Sequence, residues 1–265
     1  MKKRLAALIG LSILIALAGC GGTTSPQSSI NSPSERAENG TDQTRVVYDG
    51  VQLPNGTTAT HINETQVLAT QQNLLEKQDY RIGINLTHAM AGRIANTTTI
   101  IASNRSQQQL HVQSNLPGRS LREYYTANRS LSRIKIGNET SVSEDTVDSF
   151  RVVHEREARP RGLLTDLLTA AEFSATSTKT IDGHNAVIYN VTGVSGANSS
   201  RFPPIMKKFS GSMTIDNRGL IHNATLSTLG VRNGTVEAMF QEYRTLNYRG
   251  VRVEQPDWVQ NQTAD

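Results

Sequence analysis

Apolar and polar residues alternate through most of the chain after Val46, and only two stretches change to a helical period. The first is Glu64 to Gln78, where Val67, Leu68, Leu74 and Leu75 fall on one face. Asn63 precedes it with Gln66 three positions on, the spacing of a capping box. The second is Leu163 to Phe173, which follows Pro160 and carries Leu163, Leu164, Leu167, Leu168 and Ala171 as a stripe.

Period-two alternation predicts strands over Tyr80–His88, Arg93–Ala102, Gln107–Gln113, Arg133–Ile136, Ser177–Ile181, Ala186–Val194, Lys208–Ile215, Leu220–Leu229 and Val236–Asn247. Arg151 to Arg161 fits either period. Asp182-Gly183 and Asn233-Gly234 suit two-residue hairpins, and Asp216-Asn217-Arg218-Gly219 makes a longer one. Consecutive hairpins make neighbours antiparallel, so residues 177–247 read as a meander. The fold class expected is α+β, a large curved antiparallel sheet (a half-barrel) with one or two helices on its concave face.

The amino terminus breaks this pattern. Lys2, Lys3 and Arg4 precede an apolar run from Leu5 to Ala18, interrupted only by Gly10 and Ser12. Its 14 residues make about 21 Å of helix, short of the ~30 Å hydrocarbon core, as in a secretory signal. Leu17-Ala18-Gly19-Cys20 then places small residues before a thiol, the arrangement of a lipobox: cleavage between Gly19 and Cys20, with lipid on the Cys20 sulfur. The alternatives are a plain signal peptide with an incidental cysteine, or an uncleaved anchor.

From Gly21 to Arg45 the only aliphatic residues are Ile30 and Ala37. Such a composition cannot offset its ordering entropy, so it reads as a tether spanning roughly 25–30 Å. The expected organisation is a signal at 1–19, a tether at 20–45, a folded domain at 46–258 and a tail at 259–265. The expected location is the outer face of the cell membrane, held there by Cys20.

Asn-x-Ser/Thr triplets are in excess. With 19 Asn and 51 Ser plus Thr in 265 residues, chance gives about four; thirteen are present. Twelve are expected to carry N-glycans: Asn39, Asn55, Asn63, Asn85, Asn104, Asn128, Asn138, Asn190, Asn198, Asn223, Asn233 and Asn261. Alternation turns Asn85 away from Ile82, Ile84 and Leu86, and Asn190 away from Val187, Tyr189 and Val191. Asn104, Asn128, Asn198 and Asn233 fall in turn-like segments. The thirteenth, Asn96, stays undecided because Arg93 to Ile101 does not alternate cleanly. The competing reading is that Asn and Thr are simply favoured surface residues.

Charge adds little. The net +4 includes Lys2, Lys3 and Arg4, without which 24 basic residues face 23 acidic ones. So small an excess argues against nucleic acid as a partner. Cys20 is the sole cysteine, which excludes an intramolecular disulfide, a cysteine metal cluster and a redox pair. The six histidines, at 61, 88, 111, 154, 184 and 222, show no ligand spacing, and Gly-x-Ser-x-Gly and phosphate-loop motifs are absent. No catalytic residue, metal or cofactor is expected. Arg156, Arg159 and Arg161 form a basic cluster that suits either a solvated loop or anionic headgroups.

The order of elements carries a resemblance: a tether, a helix ending Leu74-Leu75-Glu76-Lys77-Gln78-Asp79-Tyr80, strands, a Leu-rich helix, hairpins with Asp-Gly and Asp-Asn-Arg-Gly turns, and a closing Pro256-Asp257-Trp258. It resembles a family of haloarchaeal surface lipoproteins of unknown function and, more distantly, the LolA/LolB/LppX type of lipoprotein. The resemblance implies a half-barrel whose concave face holds acyl or prenyl chains. The lining would then be Ile82, Ile84, Leu86, Leu164, Leu167, Leu168, Val187, Tyr189, Val191, Met213 and Ile215. The same aliphatic residues would equally make a solid core. Two functions stand side by side: a tethered binder of an apolar ligand such as a membrane lipid, or a non-catalytic protein contacting other envelope proteins.

Overall fold

The computed structural model describes residues 46–159, 162–194 and 202–260. Gly19, Cys20, the tether and three of the expected glycosylation sites (Asn39, Asn198 and Asn261) lie outside the described residues, as does Arg161.

Strands β1 (Val47–Tyr48) and β2 (Val51–Gln52) make a short hairpin before helix α1 (Glu64–Glu76). The Asn63 side chain accepts a hydrogen bond from the Gln66 amide at 3.0 Å, capping α1 as its spacing predicted. Six strands follow: β3 (Tyr80–Met90), β4 (Arg93–Asn104), β5 (Gln109–Leu116), β6 (Arg119–Tyr125), β7 (Arg129–Ile136) and β8 (Glu139–Thr146). Helices α2 (Phe150–Ala158) and α3 (Leu163–Ala170) interrupt. Five further strands complete the sheet: β9 (Ala171–Ile181), β10 (His184–Val194), β11 (Ile205–Asp216), β12 (Ile221–Arg232) and β13 (Thr235–Tyr248). A last turn of helix, α4, covers Asp257–Gln260.

All eleven long strands form one curved antiparallel sheet in the order β8-β7-β6-β5-β4-β3-β13-β12-β11-β10-β9. It is two meanders, β3–β8 and β9–β13, joined where the last strand returns beside the first. There Ile84 pairs with Tyr243, more than 150 residues away. The edges β8 and β9 do not meet, so the sheet stays open. In the β9 and β12 hairpin turns Asp182-Gly183 and Asn233-Gly234 hold positive φ (50°, 78°, 50° and 76°), the geometry that matches strand twist.

One ladder row defines the inner face: Tyr189, Met213, Ala224, Tyr243, Ile84, Thr99, Ser114, Leu121 and Ile134 stand opposite one another from β10 to β7. Helices α1, α2 and α3 lie on this face. Gln71 of α1, fully buried, donates through Nε2 to Tyr243 Oη and accepts at Oε1 from the Ile221 amide, both at 2.8 Å. Leu167 of α3 reaches Gly211, where an added Cβ would stand 3.3 Å from its methyl. Phe150 and Val153 of α2 join Leu110, Val112 and Tyr125 in the same core. On the convex face a second cluster forms where the carboxy-terminal segment doubles back. Val251, Val253 and Val259 cover Tyr124 and Leu131 there, with Trp258 against them.

The structure settles one open segment, corrects one helix end and adds two strands. Arg151 to Arg161 contains a helix, α2, whose buried positions Phe150, Val153, His154, Glu157 and Ala158 have helical spacing. Two of the five are polar, which hid the stripe. The Leu-rich helix stops at Ala170, not Phe173, because Phe173 and Ala175 are inner-face residues of β9 opposite Val191 and Tyr189. Strands β6 and β8 were not anticipated. In β8 every residue is exposed, so no apolar alternation marks it.

Candidate functional site on the concave face

Most of the side chains expected to line a cavity fill the core instead. Leu164, Leu167, Val187, Tyr189, Met213 and Ile215 have no exposed surface, and Ile82 and Leu168 are buried with them in one cluster. A side chain with no surface open to water borders no void that a water molecule enters, so these first six form no wall of a ligand cavity, and Ile82 and Leu168 keep only a few per cent of theirs. Tyr189 even sends its hydroxyl to Thr57 Oγ1 at 2.8 Å, sealing that side. Ile84 and Val191 pack against the same cluster from its margin. Leu86 alone lies on the open part of the face.

The rest of that open part is made by residues outside the expected lining. Beyond the helices, toward the β3–β4, β5–β6 and β7–β8 turns, the inner face carries Leu86, Leu116, Leu121 and Ile134 half-exposed and Ile136 exposed, with Thr97, Thr99 and Ser114 between them. The rows are set by register: Leu86 faces Thr97, Ser114 faces Leu121, Leu121 faces Ile134 and Arg119 faces Ile136. From β3 to β7 is four inter-strand steps, roughly 19 Å. Its signal in the sequence was diluted by hydroxyl residues, and β6 was not read as a strand.

One polar cluster lies beside this floor, at the β3–β4 end of the strands, and others lie at the opposite end. Glu237 accepts from His88 Nε2 at 2.8 Å and from Arg232 Nε at 2.9 Å, and Arg232 also reaches Phe202 O. Burial raises the Glu237 carboxyl, and hydrogen bonds from Arg232 and His88 outweigh that and hold it below the usual range. An open cleft of about 620 Å³ near the end of α1 is lined by Lys77, Asp79, Arg105, Phe150, Arg151 and His154. Arg156 of the basic cluster is engaged, its guanidinium bonding Glu157 and lying over the Tyr125 ring.

A serine and a histidine do meet. Ser103 Oγ lies 2.7 Å from His154 Nδ1, and His154 Nε2 lies 3.1 Å from Glu76 O. The carbonyl only accepts, so Nε2 carries the proton and Nδ1 accepts from the serine. This is the proton arrangement of a hydrolase pair, with a backbone carbonyl in the acid's place. Burial lowers the His154 pKa, and both residues are sealed (0 and 1% exposed), so no substrate reaches the hydroxyl. Among the described residues no three His, Cys, Asp or Glu gather as metal ligands.

The glycosylation asparagines separate by environment. Asn55, Asn63, Asn128, Asn138, Asn190 and Asn233 are exposed, and so is Asn96. Asn85 is half-buried, its amide donating to Glu242 at 3.0 Å, and Asn223 is half-buried with Oδ1 unpartnered. Asn104 differs from its expected turn position. It ends β4, is buried, and gives its Nδ2 hydrogen to Val251 O.

No curated protein sequence matches the chain. Solved structures similar to it include LprF from Mycobacterium bovis, at 9% identity over 73% of this chain and 96% of that one, with a TM-score of 0.32. The lipoprotein LppX from Mycobacterium tuberculosis is 11% identical over 66% and 92%, with a TM-score of 0.28. The MucA/MucB complex of Pseudomonas aeruginosa gives 12% over 74% and 60%, with a TM-score of 0.27. A family model covers nearly the whole chain, residues 4–262, and by that match the protein belongs to DUF7537, a family of unknown function.

Proposed function

We propose that this protein is a lipid-anchored, N-glycosylated protein of the cell surface whose open concave floor receives the hydrocarbon part of a membrane lipid. The observation that carries the binding half is the set of open aliphatic residues on the inner face, Leu86, Leu116, Leu121 and Ile134 half-exposed and Ile136 exposed, beside a core that needs none of them. Five large aliphatic side chains left open on one sheet face, with Thr97, Thr99 and Ser114 between them, are unfavourable in water unless something covers them. A chain laid across β3–β7 exchanges its own contact with water for theirs. The anchoring half rests on the signal-like segment, the small residues before Cys20 and the polar stretch after it.

Binding is tested on the secreted domain with a fluorescent fatty acid and by native mass spectrometry. Uptake of the probe, lost in Leu121→Ser/Ile134→Ser, supports the reading. A clean apo mass with no uptake overturns it. Anchoring is tested by Cys20→Ser, which releases the protein into the medium or leaves an unprocessed precursor. A fully processed Cys20→Ser form retained in the membrane overturns lipid attachment there.

The filled core favours a second reading, a non-catalytic protein that contacts other envelope proteins. Crosslinking of the floor to one abundant envelope protein, with no lipid uptake, decides for it.

A further inference from the structure

The convex face carries an apolar patch of its own. Ile94 is 71% exposed, Ile205 61%, Val236 59% and Phe240 42%. Register draws these residues together across five strands. Val236 faces Val231, which faces Ile205; Ile94 faces Ala89, which faces Ala238. From β4 to β11 the patch crosses four inter-strand steps, roughly 19 Å. Single exposed apolar residues are ordinary, but a contiguous set on a sheet face invites a second copy.

Two sequons sit against this patch. Asn96 lies two residues from Ile94 on the same face of β4, in the row that runs through Thr87 to Phe240. Asn233 occupies the β12–β13 turn, between Val231 and Val236. Both are exposed. The strand-borne sequons Asn85, Asn96, Asn104, Asn190 and Asn223 all alternate to the convex face, and none falls on the concave one. A glycan is bulky and solubilising, so its placement decides which face meets other molecules.

We propose that N-glycans on Asn96 and Asn233 cover the convex patch of Ile94, Phe240, Val236 and Ile205, and keep that face from associating with other copies of the chain. The proposal rests on the reading of this protein as glycosylated, and it assigns Asn96, which alternation in the sequence left undecided. The concave floor is left as the free face.

The test uses the full chain on its native cells. Glycopeptide mass spectrometry reads occupancy of the two sites, and a short amine crosslinker reads self-association. Asn96→Gln removes one sequon. Thr235→Ala removes the other without disturbing Asn233, whose φ of 50° a longer side chain would strain. With both sites occupied in the parent, the double variant should raise the crosslinked oligomer at least fivefold, and adding Ile94→Thr/Phe240→Thr should return it to the parent level. Occupied sites with no rise in the double variant overturn the covering role while leaving glycosylation intact. Empty sites in the parent overturn the modification itself. A melting curve on each variant confirms that it is folded.

Discussion

Asn104 Nδ2 donates to the carbonyl of Val251 at 2.7 Å, a polar tie between β4 and the carboxy-terminal segment beside the packing of Val251, Val253 and Val259 on the convex face. Asn104 Oδ1 is equally committed, accepting from Ser106 Oγ at 2.9 Å and the Gln107 amide at 2.8 Å. A sequon in the sequence is here a structural asparagine.

Asn104 is therefore expected to be unmodified in the native protein, whereas exposed Asn190 and Asn128 are modified. Asn104→Ala leaves buried partners unpaired and should cost about 1–3 kcal/mol. Ser106→Ala destroys the same sequon but loses only one peripheral bond, at under about 1 kcal/mol. Glycopeptide mapping and denaturant midpoints check both.

Core and floor respond differently to truncation. Leu167, wholly buried between α3 and the sheet, should lose about 2–5 kcal/mol as Leu167→Ala. Leu121 is half-exposed, so Leu121→Ser should cost about 1 kcal/mol or less and yet reduce uptake of the apolar probe. Urea unfolding beside probe titration separates the two effects.

Asp216 supplies an acid-sensitive clasp. Burial raises its pKa, but hydrogen bonds from His222, Arg218 and the Leu220 amide outweigh this and hold it at about 2, below the ordinary 3.8. The unfolded chain takes up the proton first, so the contribution is complete above about pH 4 and is lost as pH falls toward 2. Its size is roughly 2 kcal/mol. Asp216→Asn should abolish that slope and, by orphaning buried partners, cost about 3 kcal/mol near neutrality. Stability measured between pH 5 and 2 shows it.

His111 acts in a higher window. Burial, then the charges of Arg122 and Arg81, lower its pKa to about 4. Above the ordinary value of about 6.5 the ring is neutral in both states. As pH falls from there through about 4 the unfolded chain binds a proton that the folded one resists, and stability declines. His111→Asn should flatten part of that decline between pH 7 and 4, the remainder including His154, which burial also shifts down. Denaturant midpoints across that range follow it.

What was legible depended on how far the signal reaches along the chain. The α1 cap at Asn63 and the Asp182-Gly183 and Asn233-Gly234 turns are decided by a few neighbouring residues, and each stands where the sequence puts it. The concave site was legible only in part. Leu86 was identified, whereas Leu116, Leu121, Ile134 and Ile136 were passed over because polar residues interrupt their strands.

Alternation by itself determined that this chain makes strands, that hairpins set them antiparallel and that each strand has one apolar side. It cannot say what lies over that side. The return of β13 beside β3 joins residues far apart in the chain, and the seating of α1, α2 and α3 chose which apolar side chains became core and which stayed open. Long-range pairing and helix seating are settled by the total surface removed from water, a property of the whole assembly that no short window of sequence contains.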